Sequence, residues 1–167
     1  MRTLVALTLL VPATAIAWEG RVVAEGQLGF AAPSGFFSTG LDVSVTPHVA
    51  VNAAGGLSVG GPQWSAMTRL QLPLARYSVG FGLGMSGGPW KPPFVDAHFD
   101  HAVWGNAELS LIWLAGRSVQ FRAAGGYGAI LNDESCEWTG FDPPVSCEVK
   151  AARYMMPYTQ FALGYVF

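Results

Sequence analysis

Charge is scarce in this chain. Only 12% of its 167 residues are Asp, Glu, Lys or Arg, while 51% are hydrophobic. A soluble domain normally carries about twice that charged fraction. Long apolar runs are lacking as well. After the first residues no window of about 18 is predominantly apolar, and the longest uncharged stretch, Val43 to Thr68, is broken by Pro47, Gly55, Gly56, Gly60, Gly61 and Pro62. Membrane helices, which need about 20 apolar residues, are thereby excluded as the means of burying this surface. A closed barrel is the other structure that satisfies every backbone donor and acceptor in hydrocarbon. Basic residues are few too, 9 against 11 acidic ones, which removes support for nucleic-acid binding. Cysteine is limited to Cys136 and Cys147, with no His between them and no zinc-like spacing.

What is present begins with Arg2, an apolar run from Leu4 to Leu10, Pro12, and small residues ending Ala15-Ile16-Ala17. That succession has the n-region, h-region and A-x-A pattern of a secretory signal peptide. The expectation is cleavage after Ala17, so residues 1–17 form the signal and 18–167 one domain. Without Arg2 the mature chain has 8 basic and 11 acidic residues, a net charge of −3.

The mature part reads as segments of period-two alternation separated by connections of unequal length, as expected of a transmembrane barrel. In Trp18 to Phe30, Val22, Ala24, Leu28 and Phe30 share one face and Glu19, Arg21, Glu25 and Gln27 the other. Leu41, Val43 and Val45 oppose Asp42 and Ser44. Trp64, Ala66, Leu70 and Leu72 oppose Ser65, Arg69 and Gln71. The cleanest repeat sets Tyr77, Val79, Phe81, Leu83 and Met85 against Ser78, Gly80, Gly82, Gly84 and Ser86. Further segments follow around Val49 to Val59, Ala107 to Trp113 and Val119 to Tyr127, with an eighth at the C-terminus. Pro157 lies inside that last segment and cannot donate a ladder hydrogen bond. Eight strands put both termini on the side of the short turns, which are Thr46-Pro47-His48, Pro73 to Arg76 and Gly116-Arg117. Aromatics fall near the strand ends, Trp18, Tyr77, Trp113, Tyr165 and Phe167 at one rim and Phe30, Trp64 and Tyr127 at the other. The rival architecture is a soluble lipocalin-like barrel, with apolar side chains inside. The polar faces carry one to three charges each among many Gly and Ala, which suits a confined lumen better than a solvated exterior.

The final residues, Phe161-Ala162-Leu163-Gly164-Tyr165-Val166-Phe167, alternate large apolar with small and stop on an aromatic. Here the chain resembles the outer-membrane β-barrel family, in which such a terminal strand, with aromatics at the spacings of Phe161, Tyr165 and Phe167, is the signal read by the barrel assembly machinery. In layout the mature chain resembles the small OmpA-like and OmpX-like barrels. That resemblance implies an outer-membrane location and a structural, adhesive or surface-interaction role. Outer-membrane lipids and lipopolysaccharide would then be its surroundings and a monomer its form, with no cofactor.

Two cysteines in an exported chain read as a disulfide closing the last long loop. The same loop holds Asp133, Glu134, Glu137, Asp142 and Glu148, a solvated acidic loop or a patch for cations bridging to lipopolysaccharide phosphates. His98, Asp100 and His101 raise the question of a hydrolase, because a nucleophilic triad needs Ser or Cys beside a His oriented by a carboxylate. No serine lies between Gly88 and Ser110. His101 and Asn106-Ala107 resemble part of the outer-membrane lipid A deacylase motif, but Val103 occupies the position of that family's serine. The reading is therefore non-enzymatic, without a metal site. Glu19, Arg21, Glu25, Asp42, Arg69, Glu108 and Arg122 mix both signs on the inward face and are expected to pair, since unpaired buried charge is strongly unfavourable. The inward residues toward the outer ends, Gly56, Ser58, Gly84, Ser86, Gly126 and Gly128, are small. They suggest a cavity open to the outside above a plugged floor, able to take a lipid or small apolar ligand, unless long side chains or Trp104 fill it.

Overall fold

A computed structural model describes residues 20–74, 76–91, 97–138, 145–149 and 154–167. Ala15, Ala17 and Glu19, and with them the signal sequence, lie outside the described residues. Among the described residues the chain forms ten strands: β1 (Val22–Phe30), β2 (Phe37–Thr46), β3 (Val49–Ser58), β4 (Gly61–Leu74), β5 (Tyr77–Trp90), β6 (Ala97–Ala115), β7 (Val119–Ile130), β8 (Glu134–Trp138), β9 (Val145–Val149) and β10 (Met155–Val166). Eight of them close a barrel. Neighbours run antiparallel in the order β1 to β7 and then β10, which pairs back onto β1 with Val23 opposite Val166 and Phe30 opposite Thr159. The remaining pair, β8 and β9, forms a hairpin within what the sequence suggested was a plain loop, and β8 attaches it to β6 through Ala97 to Phe99.

Closure removes every sheet edge within the barrel, and the period-two side-chain rule then sends the two faces of each strand to opposite sides. Leu41, Leu70, Leu83, Leu109, Phe161 and Leu163, on five different strands, all stand exposed on the outside. Inside lie Glu25, Asp42, Asn52, Arg69, Glu108, Arg122 and Gln160, each at most 5% exposed. The barrel is thus apolar outside and polar inside, the inverse of a water-soluble barrel. At the short-turn end, Tyr77, Trp113 and Phe121 stack across β5, β6 and β7 with centroids 6.5 and 5.4 Å apart, and Tyr165 meets Phe167 edge-on at 5.1 Å. Gly116, at φ 75°, turns the chain from β6 to β7 in a conformation that favours glycine.

At the opposite end β5 and β6 run beyond the expected strand limits. Gly88 lies opposite Ala102, whereas Trp90 lies opposite Phe99, so β6 spends one residue more than β5 over that interval. This bulge reverses parity on β6 and turns Phe99 inward, to 2% exposure. Pro157 is accommodated because β10 there runs past the last residue of β1. Its register neighbour is Tyr127 of β7, and β1 reaches only Thr159.

Candidate functional site

Three layers fill the lumen. In the half nearer the short turns, Arg122 of β7 donates through Nη2 to Glu25 Oε1 at 2.7 Å and through Nη1 to Glu108 Oε1 at 3.4 Å. Gln27 Nε2 and Asn52 Nδ2 donate to the same Glu25 oxygen, each at 2.7 Å. Arg69 of β4 pairs with Asp42 of β2. Arg21, buried just before β1, lies in the field of Asp42 and Arg69. The inward charges expected to pair are therefore brought together wherever they are described. Tyr158 extends the cluster, its hydroxyl donating to Glu108 Oε2 at 3.5 Å.

Above this ionic floor lies a neutral layer. Gln27 Oε1 accepts from the hydroxyls of Ser34 and Ser38, both at 2.9 Å, and from Gln160 Nε2. Gln160 Nε2 also donates to Ser34 Oγ at 3.1 Å. Ser34 belongs to the β1–β2 connection and is fully buried. That connection folds into the barrel mouth instead of projecting from it. On the far wall Asn106 Nδ2 donates to Ser86 Oγ at 2.9 Å.

The mouth is closed by aromatic rings. Trp90 packs against Phe99, Trp104 and Tyr154 with centroids 5.5, 4.9 and 5.8 Å away, backed by Ala102 and Ile130. Burial here raises the Tyr154 phenol above its ordinary value. The small inward residues do not leave the wide opening suggested by their size. A Cβ at Gly56 would meet the Ser38 Cβ at 2.4 Å, at Gly84 the Met67 Cγ at 2.5 Å, and at Gly126 the Tyr158 hydroxyl at 2.9 Å. Between Ser86, Asn106, Gly128, Trp104 and Tyr158 a space of only about 20 Å³ is left, on the scale of one or two waters. Ser58 is turned to the rim, where its hydroxyl donates to Gly61 O at 3.2 Å.

Trp90 and Phe99, which fill the mouth, do not stand out in the sequence, because both fall in a segment that reads as a loop, and Tyr154 stands ahead of the alternating part of the last strand. Tyr158 is legible, sharing parity with Gln160 and Ala162.

His98 and Asp100 pair on the extension of β6, Nε2 to Oδ1 at 3.1 Å, with Asp100 67% exposed. His101 is also exposed, its carbonyl accepting from Asn132 Nδ2 at 3.0 Å. Among the described residues the pair therefore sits at the surface, open to water. Among the described residues no group of three His, Cys, Asp or Glu could hold a metal. The backbone register sets Cys136 directly opposite Cys147 across the β8–β9 hairpin. The side chains of both lie outside the described residues. Compared with models of known families and with curated proteins, the chain matches none.

Proposed function

We propose that this protein is a non-enzymatic integral outer-membrane β-barrel, monomeric, exported through a cleaved signal, whose loop end meets the surroundings while its filled lumen carries no solute. One observation carries the reading: a closed barrel has an ionic, hydrogen-bonded interior and an exterior of Leu, Val, Phe, Trp and Tyr on every side. Large apolar side chains gain about 1.5–3 kcal/mol each on leaving water. An exterior of this extent needs hydrocarbon around it, and contiguous apolar surface of this size is not carried by soluble monomers.

The aromatic rims match the interfacial girdles of such barrels. A lumen sealed by Arg122 below and Trp90 above agrees with eight strands leaving room only for side chains. The role is structural or one of surface interaction, exerted through the β8–β9 hairpin and its acidic residues, with lipopolysaccharide as the neighbouring lipid and the barrel assembly machinery as the partner in biogenesis. The Cys136–Cys147 register supports a disulfide, because opposed Cα atoms in an antiparallel pair lie about 4.5–5.5 Å apart, within the range that a disulfide spans.

The test is heat-modifiability. Unboiled protein from the envelope should migrate differently from boiled protein on SDS gels and sediment with outer membranes. Identical migration, with recovery in the soluble periplasmic fraction, refutes the reading.

A further inference from the structure

We infer that the outer rim carries a binding cleft for an acyl chain with an anionic head group, a site that rests on the membrane-barrel reading above. The cleft lies between the β1–β2 connection and the corner where the β3–β4 turn meets the end of β5. Its walls are Phe30, Phe36, Val59 and Trp90, its rim carries Lys91, and it encloses about 110 Å³. Apolar cavities of about 150 Å³ take a benzene molecule, so this space accommodates a short run of methylenes.

Three further observations bear on the occupant. Val59 is 76% exposed and Phe36 49%, so the cleft opens onto the apolar outer wall of the barrel, continuous with Leu57 and Phe37. A chain lying on that wall can enter without crossing a polar barrier. Lys91 is the charged group among the lining residues, which selects an anion at the water-facing end. The cleft is also held open by its own backbone. Ala31 sits at φ 54°, in a region non-glycine residues rarely enter, and the connection is pinned by Gly29 N to Phe36 O at 3.0 Å, Gly35 N to Ala32 O at 3.0 Å and Phe36 N to Leu57 O at 2.8 Å.

Behind this cleft lies the small space at the top of the lumen. The two share Ala31, Ala32, Gln63 and Trp90 as a common wall. Gln63 Nε2 donates to Pro89 O at 3.2 Å, which ties that wall to β5. The chain therefore ends against Trp90 rather than passing into the barrel. An outer-leaflet lipid and a free fatty acid both supply the required chemistry.

The experiment follows amide and indole NMR signals of the full barrel in phosphatidylcholine nanodiscs as decanoate is added, each sample first passing the heat-modifiability test. Saturable shifts are expected at Ala31, Gly35, Val59 and Lys91 and at the Trp90 indole. Lys91→Glu, a change at a part-exposed position, should weaken decanoate at least about fivefold and confer binding of decyltrimethylammonium. The same shifts produced by phosphatidylglycerol in the disc identify a lipid as the source, and shifts with decanoate alone identify the free acid. Unsaturating shifts spread over the aromatic rims, or decanoate binding unchanged in Lys91→Glu, overturn the site while leaving the barrel standing. A preparation that fails heat-modifiability overturns the barrel reading and the site with it.

Discussion

Replacing Arg122 with Met puts the most weight on the lumen network. The Arg122 side chain is 2% exposed and holds Glu25 and Glu108, themselves 0% and 2% exposed. The substitution keeps most of the volume but leaves two carboxylates facing each other with no cation in contact. Breaking a buried pair by removing one partner costs about 3–5 kcal/mol, because the remaining charge stays desolvated. At about 1.4 kcal/mol per tenfold, the unfolding equilibrium should shift at least about a hundredfold. Urea titration of the barrel in phosphatidylcholine vesicles, with the folded fraction read from unboiled gels, measures this as a fall in midpoint. Adding Glu25→Gln and Glu108→Gln to the Met variant removes the stranded charge, and most of the loss should return, since neutral replacements for buried ion pairs are often tolerated. A single variant that unfolds at the wild-type midpoint would refute the network. A triple variant no better than the single would show that packing, not charge, was lost.

Gly126→Ala should destabilise the barrel by about 1–3 kcal/mol through overpacking, because its Cβ would meet the Tyr158 hydroxyl in the lumen at 2.9 Å as well as the β6 wall at Ala107 O, whereas at Gly125 the nearest contact is Tyr158 O at 3.7 Å. Gly125→Ala is the matched control, and equal urea midpoints for the two variants would contradict the filled lumen. Non-reducing digestion and mass spectrometry should find the peptides of Cys136 and Cys147 linked, and on the chain-entropy model the link restricts that loop by about 3 kcal/mol. Two free thiols in protein taken from the envelope would end that claim. Deleting Phe167, which is 76% exposed and whose amide donates to Val22 O at 2.9 Å, should lower the assembled protein far more than its urea midpoint after refolding. Normal surface levels of the truncated chain would mean that the C-terminal aromatic is not read during assembly.

Much of the strand layout was legible because alternation is a local property. The parity of Leu41, Asp42, Val43 and Ser44 says which side chains share a side of β2, and the same holds for Tyr77 to Ser86 in β5. The expected pairing of inward charges was also legible as a general demand of burial. The identity of the partners was not: Glu25 and Arg122 are 97 residues apart, and they meet because β10 lies between β1 and β7 when the barrel closes. The suggested outward cavity followed from small residues at strand ends, but their neighbours fill that space. Ser34 comes from a connection that folds inward, and Trp90 from a segment that reads as loop.

By itself the sequence determined that this chain forms alternating strands, which face of each is apolar, and how scarce its charge is, since all of these follow from residue identity and a two-residue period. Parity distinguishes two faces without saying which one encloses the lumen; the scarcity of charge on the polar faces pointed them inward, and the tertiary structure places them there. It alone decided the ion-pair partners, the inward turn of Phe99 at the β6 bulge and the closing of the mouth by Trp90 and Tyr154. Those depend on register and barrel closure, which bring together residues far apart in the chain and leave no periodic trace in it.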